Sequence, residues 1–310
     1  MQKKTISRSQ LPILLSKVNL EEFTRLTVKD YSLSMNSKIQ SWFASDGKEL
    51  RGSIKKGSKR GQAIVQIVRH SNREVVGQNF YDGKKESEVP AVKMLLEQTK
   101  IKTQKVSLDA LHLKPNTLNL ISQAGGKFLV GLKENQPILA QQMNDYSYYH
   151  SSLYHRLDQE RGHGREEERF YLSYDLKDEK FDKRWTEANF QTMIKVLRKQ
   201  KFVKKDQSMY QESYYLSNIS TKNIQVAEEL FDTVRSHWQV EVNNYIRDVV
   251  LKEDKLCMLN PFSTKAVACC RTLVMNLLEC RNVKNRCEQL DFFADNFKEC
   301  LKWLRGIGFL

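Results

Sequence analysis

The stretch IQSWFASD (Ile39–Asp46), running straight into GKELRGS (Gly47–Ser53), decides how the rest of the chain is read. Its first eight residues read as a short strand that delivers an aspartate at its end. A glycine- and lysine-rich turn, Gly47 to Gly61, follows. Working outward, AIVQIVR (residues 63–69) and VVGQNF (residues 75–80) are β-branched runs bounded by turn residues and read as a hairpin or meander. Residues 87–99 predict a helix, with Ser87 as its cap and Val92, Leu95 and Leu96 inward. QKVSLD (residues 104–109) is a strand that again ends on an aspartate. Pro115, a favoured first-turn residue, opens a helix over 115–124, and KFLVGLK (residues 127–133) is a further strand. The order β-β-β-α-β-α-β predicts an α/β fold, a mixed sheet with helices on its faces.

The flanks are read the same way. Residues 9–29 predict a helix capped by Ser9, with Leu11, Leu14, Leu15 and Val18 spaced as one apolar stripe. Residues 140–220 are polar, charged and aromatic-rich, and predict an inserted, mainly β segment with strands near 166–175 and 210–217. Residues 222–256 predict one or two long helices beginning near Thr221, and 262–305 continue helical. The expected organisation is an N-terminal helical stub (1–38), a core (39–139 and 221–256), an insertion (140–220) and C-terminal helices (257–310).

A chain of 310 residues with 40% hydrophobic content can bury a sizeable core. It contains no run of 18 apolar residues, so no membrane-spanning helix is expected. The start, Met1 to Gln10, is polar and basic without the apolar stretch of a secretory signal, which makes a cytoplasmic location the expectation. Basic residues outnumber acidic ones, 51 to 37, for a net charge of +14. The excess is clustered: residues 47–75 hold eight basic and two acidic side chains, and residues 193–205 hold six basic and none acidic. Such clusters attract a polyanion and release its counterions, so nucleic acid is the expected partner. Six cysteines all follow residue 256 without a C-x-x-C pair, so buried, reduced thiols are expected rather than a zinc site.

The chemistry starts from Asp46 and Asp109. If their strands are neighbours, the two carboxylates lie side by side and repel unless they share a proton or a cation. Hard oxygen ligands suit Mg²⁺ or Mn²⁺. Two such ions can activate a water or a 3′-hydroxyl and stabilise the leaving oxygen in an in-line phosphoryl transfer. Glu241, in a helix beginning upstream of Arg235, would complete the second position. The competing reading is that these aspartates cap turns, most plainly where Gly47 follows Asp46.

DGKELRGS (Asp46–Ser53) closely resembles the DGKTLRGS box of the H-repeat-associated (ISAs-type) DDE transposases of bacterial insertion sequences. The resemblance continues in order through VVGQ (Val75–Gln78), KKESEVPAVKMLLE (Lys84–Glu97), SLDALHLK (Ser107–Lys114), GGKFLVGLKENQ (Gly125–Gln136), HGREEER (His163–Arg169), YYLSNIS (Tyr214–Ser220) and RSHWQVE (Arg235–Glu241). Eight collinear boxes are far more specific than any one of them. The resemblance implies a ribonuclease-H-like core, two Mg²⁺ or Mn²⁺ ions, and cleavage and joining of double-stranded DNA by a homodimer. Its acids fall on Asp46, Asp109 and Glu241. Lys48 and Arg51 could hold DNA phosphates beside the metals. Lys133, Asn135 and Gln136 could bind the DNA backbone or a flipped base, although Gln136–Pro137 also reads as a helix start. His163, Arg165 and Arg169 are expected to touch DNA or to orient Glu241. His237 shares the helical face of Glu241, and Trp238 is expected in the core.

Two departures from the family pattern matter. The family carries a further segment ahead of the helix at 9–29, of which only a stub is present here. After Glu241 the chain reads EVNNYIRDVVLKED, with Val242 for the family's Asn, Tyr245 and Ile246 for its His-Trp pair, and one residue fewer before Asp248. One residue rotates a helix by about 100°, so Asp248, Glu253 and Asp254 are expected to face differently from the family's acids. A catalytically silent DNA-binding relative, or a metal-dependent nuclease used in defence, are the competing functions.

Overall fold

The computed structural model describes residues 6–7, 9–25, 41–162, 164–202 and 207–306. Its spine is one nine-stranded sheet in the order β3-β2-β1-β4-β5-β9-β8-β7-β6. The strands are β1 (Trp42–Glu49), β2 (Ala63–Arg69), β3 (Val75–Tyr81), β4 (Lys105–Leu108), β5 (Lys127–Leu132), β6 (Tyr154–Gly162), β7 (Arg165–Asp175), β8 (Thr192–Phe202) and β9 (Gln207–Ser217). β1 to β3 form an antiparallel meander, and β1, β4 and β5 run parallel. This is the mixed sheet of a ribonuclease-H-like fold, as the sequence predicts.

Helices cover both faces. On one side lie α3 (Lys85–Gln98), α4 (Pro115–Gln123) and α5 (Pro137–Tyr149), which bury Val92, Leu96, Leu118, Ile121, Leu139 and Met143 against Phe43, Val106, Phe128 and Val130. On the other lie α6 (Ile224–Ser236), α7 (Gln239–Tyr245) and α8 (Pro261–Cys280). Leu230 and Phe231 of α6 pack on Leu129 and Ile194, and Val240 of α7 packs on Ala44. Phe43 and Ala44 therefore face opposite helical layers, as the period of two along a strand requires.

The segment at 140–220 does not leave the sheet. β9 pairs antiparallel with β5, and β8, β7 and β6 extend the same ladder. Two of these four strands, β6 and β8, are absent from the sequence reading. Their charged side chains hide the alternation, and cross-strand ion pairs explain the charges. Lys195 meets Glu212 at 2.7 Å, Arg198 meets Glu167 at 2.8 Å and Lys199 meets Glu168 at 3.8 Å. The basic cluster at 193–205 is thus largely matched within the described residues rather than displayed.

Other boundaries shift for local reasons. β1 does not stop at Asp46 but continues to Glu49, paired with β2 throughout. The helix at 9–29 is broken into α1 (Gln10–Leu15) and α2 (Leu20–Thr24); residues 26–29 lie outside the described residues. Ser9 caps nothing, because its backbone is already helical, whereas Asn19 is extended and accepts the Glu22 amide at 3.1 Å, starting a new helix. Ser87 sits inside α3, which starts at Lys85. The cysteines are free, but only Cys269 is buried; Cys257, Cys280 and Cys287 are exposed, since they fall near helix ends. Two further helices, α9 (Arg286–Asp295) and α10 (Phe297–Arg305), follow α8.

Candidate active site

Parallel pairing of β1 with β4 places Ser45 opposite Leu108, so Asp46 and Asp109 follow side by side. Asp46 is still in its strand, while Asp109 leaves β4 and caps the 3-10 turn Ala110–His112, accepting the Ala110 amide at 2.7 Å. The two differ electrically. Burial, the Glu88 carboxylate and, further down, Asp109 push Asp46 up to about 7, against the backbone hydrogen bond from Gly47. Asp109 is also pushed up by burial, but the Ala110 amide and Lys133 outweigh it and hold the carboxyl below its usual value. Lys133 Nζ lies 3.3 Å from Asp109 Oδ1.

The third acid arrives on α7, which crosses β1 and β2. Glu241, in its first turn, is exposed, and burial of its carboxylate and the charge of Asp109 raise its pKa. One turn later Asn244 donates to Asp46 Oδ2 at 3.0 Å. The structure thus brings Asp46, Asp109 and Glu241 to one end of the sheet. It adds two residues that the sequence reading passed over, Asn244 and Glu88. Glu88 lies in the KKESEVPA box, and only its position in that box could have pointed to it.

The other candidates separate. Lys48 is not on display: it is 8% exposed and lies 2.7 Å from Asp248 and 3.3 Å from Asp254. A π-helical turn, Ile246–Val250, widens the helix after α7; Asp248 lies within it and Asp254 follows it. Arg51 is 73% exposed, with Asp254 at 3.8 Å. Asn135 and Gln136 spend their amides on the backbone: Asn135 donates to the Ala110 carbonyl at 2.7 Å and Gln136 to the Leu113 carbonyl at 3.1 Å. They brace the turn that carries Asp109, and Gln136 occupies the cap position of α5 ahead of Pro137.

His237 does lie close to the site, but its Nδ1 engages Ser107 Oγ at 2.9 Å, and that hydroxyl also meets His70 Nε2 at 2.9 Å. Burial lowers His237 to about 4, so it is neutral near pH 7. Trp238, at the junction of α6 and α7, is 57% exposed and not in the core. Arg169 is nearly buried and pairs with Glu167 and, at 3.6 Å, with Glu160, which in turn binds Arg235 at 2.8 Å. Arg165 pairs with Glu167 at 3.5 Å. His163 lies outside the described residues. Lys55, Lys56 and Lys59, in the loop after β1, are exposed.

Among the described residues no three His, Cys, Asp or Glu side chains converge closely enough to hold a metal ion. The donor chemistry nevertheless fits a hard divalent cation. Mg²⁺ is commonly held by one or two protein carboxylates and keeps several waters. Asp46 beside Asp109 supplies that pair, and burial together with the neighbouring Glu88 charge disfavours the ionised form of Asp46.

A sheet of this order, with aspartates side by side where β4 ends against β1 and a glutamate on a covering helix, defines a ribonuclease-H-like protein with an acidic site. The family model described as "Transposase DDE domain" matches residues 36–277, and the chain belongs to that family. It is 26% identical over 251 residues to "Putative transposase YncI" of Escherichia coli O157:H7, covering 78% of this chain and 63% of that protein. It is 26% identical over 249 residues to "H repeat-associated putative transposase YhhI" of Escherichia coli K12, covering 76% of this chain and 63% of that one. The matched region thus spans under two thirds of the length of these relatives. Among the described residues no helix is long and apolar enough to cross a membrane.

Proposed function

We propose that the protein cuts DNA strands at the ends of its own element and joins them to a target, with Asp46, Asp109 and Glu241 as the acids that hold Mg²⁺ or Mn²⁺. The observation that carries this reading is the register Ser45–Leu108, which sets Asp46 beside Asp109 under the helix that carries Glu241. Divalent cations held there supply Lewis-acid stabilisation for an in-line attack on a phosphodiester by water or a 3′-hydroxyl.

The chain's own residues prepare that site. Asn244 fixes the orientation of Asp46, and the amide of Ala110 with Lys133 keeps Asp109 ionised. Asn135 and Gln136 hold the turn beneath it. Arg51, Lys55, Lys56 and Lys59 form the basic rim that takes the DNA backbone, a contact that positions the strand without reading its bases. Two element ends handled together call for a homodimer, and the work is done on DNA in the bacterial cytoplasm.

The test is cleavage and joining of a labelled duplex carrying the element's ends, with Mg²⁺ or Mn²⁺ against EDTA, wild type beside Asp109→Asn. Metal-dependent products that vanish in the variant are expected. A folded wild type that binds this DNA in a salt-dependent way but never cuts it would replace the proposal by a silent DNA-binding module.

A further inference from the structure

We propose that Glu88 is a fourth carboxylate of this site, reaching from α3 past the end of β4 to complete, with Asp46, one of the positions for a hard divalent cation. The proposal deepens the reading above and rests on it.

The opening for Glu88 is built into the sheet. β4 pairs with β1 only as far as Ser45, whereas β1 stays paired with β2 to Glu49. Beyond Ser45 the β4 side of β1 is therefore free of a strand. Glu88 stands there, and the glycine beside Asp46 is what admits it. A Cβ on Gly47 would lie 2.5 Å from Glu88 Cδ and Oε2 and 2.5 Å from the Tyr81 hydroxyl. Gly47 sits in a paired strand opposite Val65, so the turn that a sequence reader assigns to it is not why it is glycine. It leaves room for a carboxylate.

That carboxylate is held but incompletely matched. The Tyr81 hydroxyl donates to Glu88 Oε2 at 3.0 Å. Glu88 Oε1 lies 3.3 Å from His112 Nε2, yet the wholly buried His112 ring makes no hydrogen bond through either nitrogen. A buried polar group left unpaired is costly, and such groups mark places where a ligand is expected to reorganise the contacts. Two neighbouring carboxylates poor in countercharge are what one Mg²⁺ or Mn²⁺ with its waters accepts. The competing role, a purely structural partner for Tyr81 and His112, leaves cation affinity indifferent to the charge of Glu88.

The experiment is a Mn²⁺ titration of the full chain, reading free Mn²⁺ by its electron paramagnetic resonance signal, with circular dichroism confirming the fold. Wild type is compared with Glu88→Gln, Asp46→Asn and Asp109→Asn. Glu88→Gln keeps an acceptor for Tyr81 but loses the charge, and we expect it to weaken Mn²⁺ binding about tenfold or more. If Glu88→Gln does not fold, Glu88→Asp carries the test, since it keeps the charge and shortens the reach; weaker binding is expected. Mn²⁺ affinity unchanged in the Glu88 variant while the aspartate variants weaken would overturn the proposal and leave the three-acid reading intact. A wild type that binds no Mn²⁺ would overturn both.

Discussion

Two groups of acids meet β1 two residues apart, one at Lys48 and one at Asp46, and are treated in opposite ways. In the first, Glu253 receives a two-pronged contact from Arg247, Nε to Oε2 and Nη2 to Oε1, both at 2.7 Å, with Arg271 at 3.6 Å. Arg247 is wholly buried and spends its remaining donors on Thr272 and the Ala268 carbonyl. Asp248 and Asp254 close on Lys48. In the second group, Asp46 and Glu88 have amide, hydroxyl and histidine neighbours but, among the described residues, no lysine or arginine at salt-bridge distance, and Asp109 has one exposed lysine. The difference teaches how to sort acids by use. Where the fold supplies a cation from its own side chains, the acid is structural. Where it withholds one, the acid is open to the cation proposed above.

The largest expected effect attacks the second group. Asp46→Asn or Asp109→Asn should reduce metal-dependent cleavage of element-end DNA to background while the far-ultraviolet circular dichroism spectrum stays as in wild type. Full cleavage by either variant would remove the comparison's functional half.

Next comes the first group. Arg247→Met leaves Glu253 buried without its main partner and should lower stability by about 3–5 kcal/mol in urea unfolding, the usual cost of breaking a buried pair. Adding Glu253→Leu should recover much of that loss. A double variant no better than the single would mean that the network carries more than charge balance.

The pH dependence sharpens the same contrast. The folded pKa of Asp46 is raised to about 7, above that of an unfolded aspartate. Its contribution to stability is therefore complete below about pH 4 and lost as pH rises through about 7, up to the order of 4 kcal/mol by pH 8. The metal-free protein should melt lower across that window, Asp46→Asn should flatten the trend, and Mg²⁺ should restore the loss. A wild-type trend identical to that of Asp46→Asn would show that Asp46 is not the strained group.

A smaller effect separates Lys48 from its exposed neighbours. Lys48→Met should lower the melting temperature and leave the salt dependence of DNA binding unchanged, because its charge is taken up by Asp248 and Asp254. Lys55→Ala should do the reverse, reducing the salt slope by about one without a change in melting. A changed salt slope for Lys48→Met would return that lysine to the DNA-facing set.

Much of the fold is legible in the chain itself. β2 and β3 are runs of β-branched residues between turns, α4 opens on Pro115, and their limits fall within a residue of the structure. The strands at 154–162 and 192–202 are not legible, because their alternation is written in charges whose partners lie on neighbouring strands. Of the candidate site, Asp109 can be found as the aspartate just past β4, and Asp46 as an aspartate in the first strand, although that strand runs on to Glu49. Asn135 and Gln136 look like ligand contacts because their true partners are backbone carbonyls 23 to 25 residues away.

The sequence by itself determined the local grammar: which segments alternate, where helices open, and which two strands carry an aspartate at or near their ends, since all of these depend on neighbours a few positions apart. Only the tertiary structure decided which acids are matched and which are left wanting a cation. Charge balance depends on distances between side chains 40 to 200 positions apart. At 2.7 Å Asp248 neutralises Lys48 across that span, whereas Gly47, by lacking a side chain, leaves room for the Glu88 carboxylate beside it.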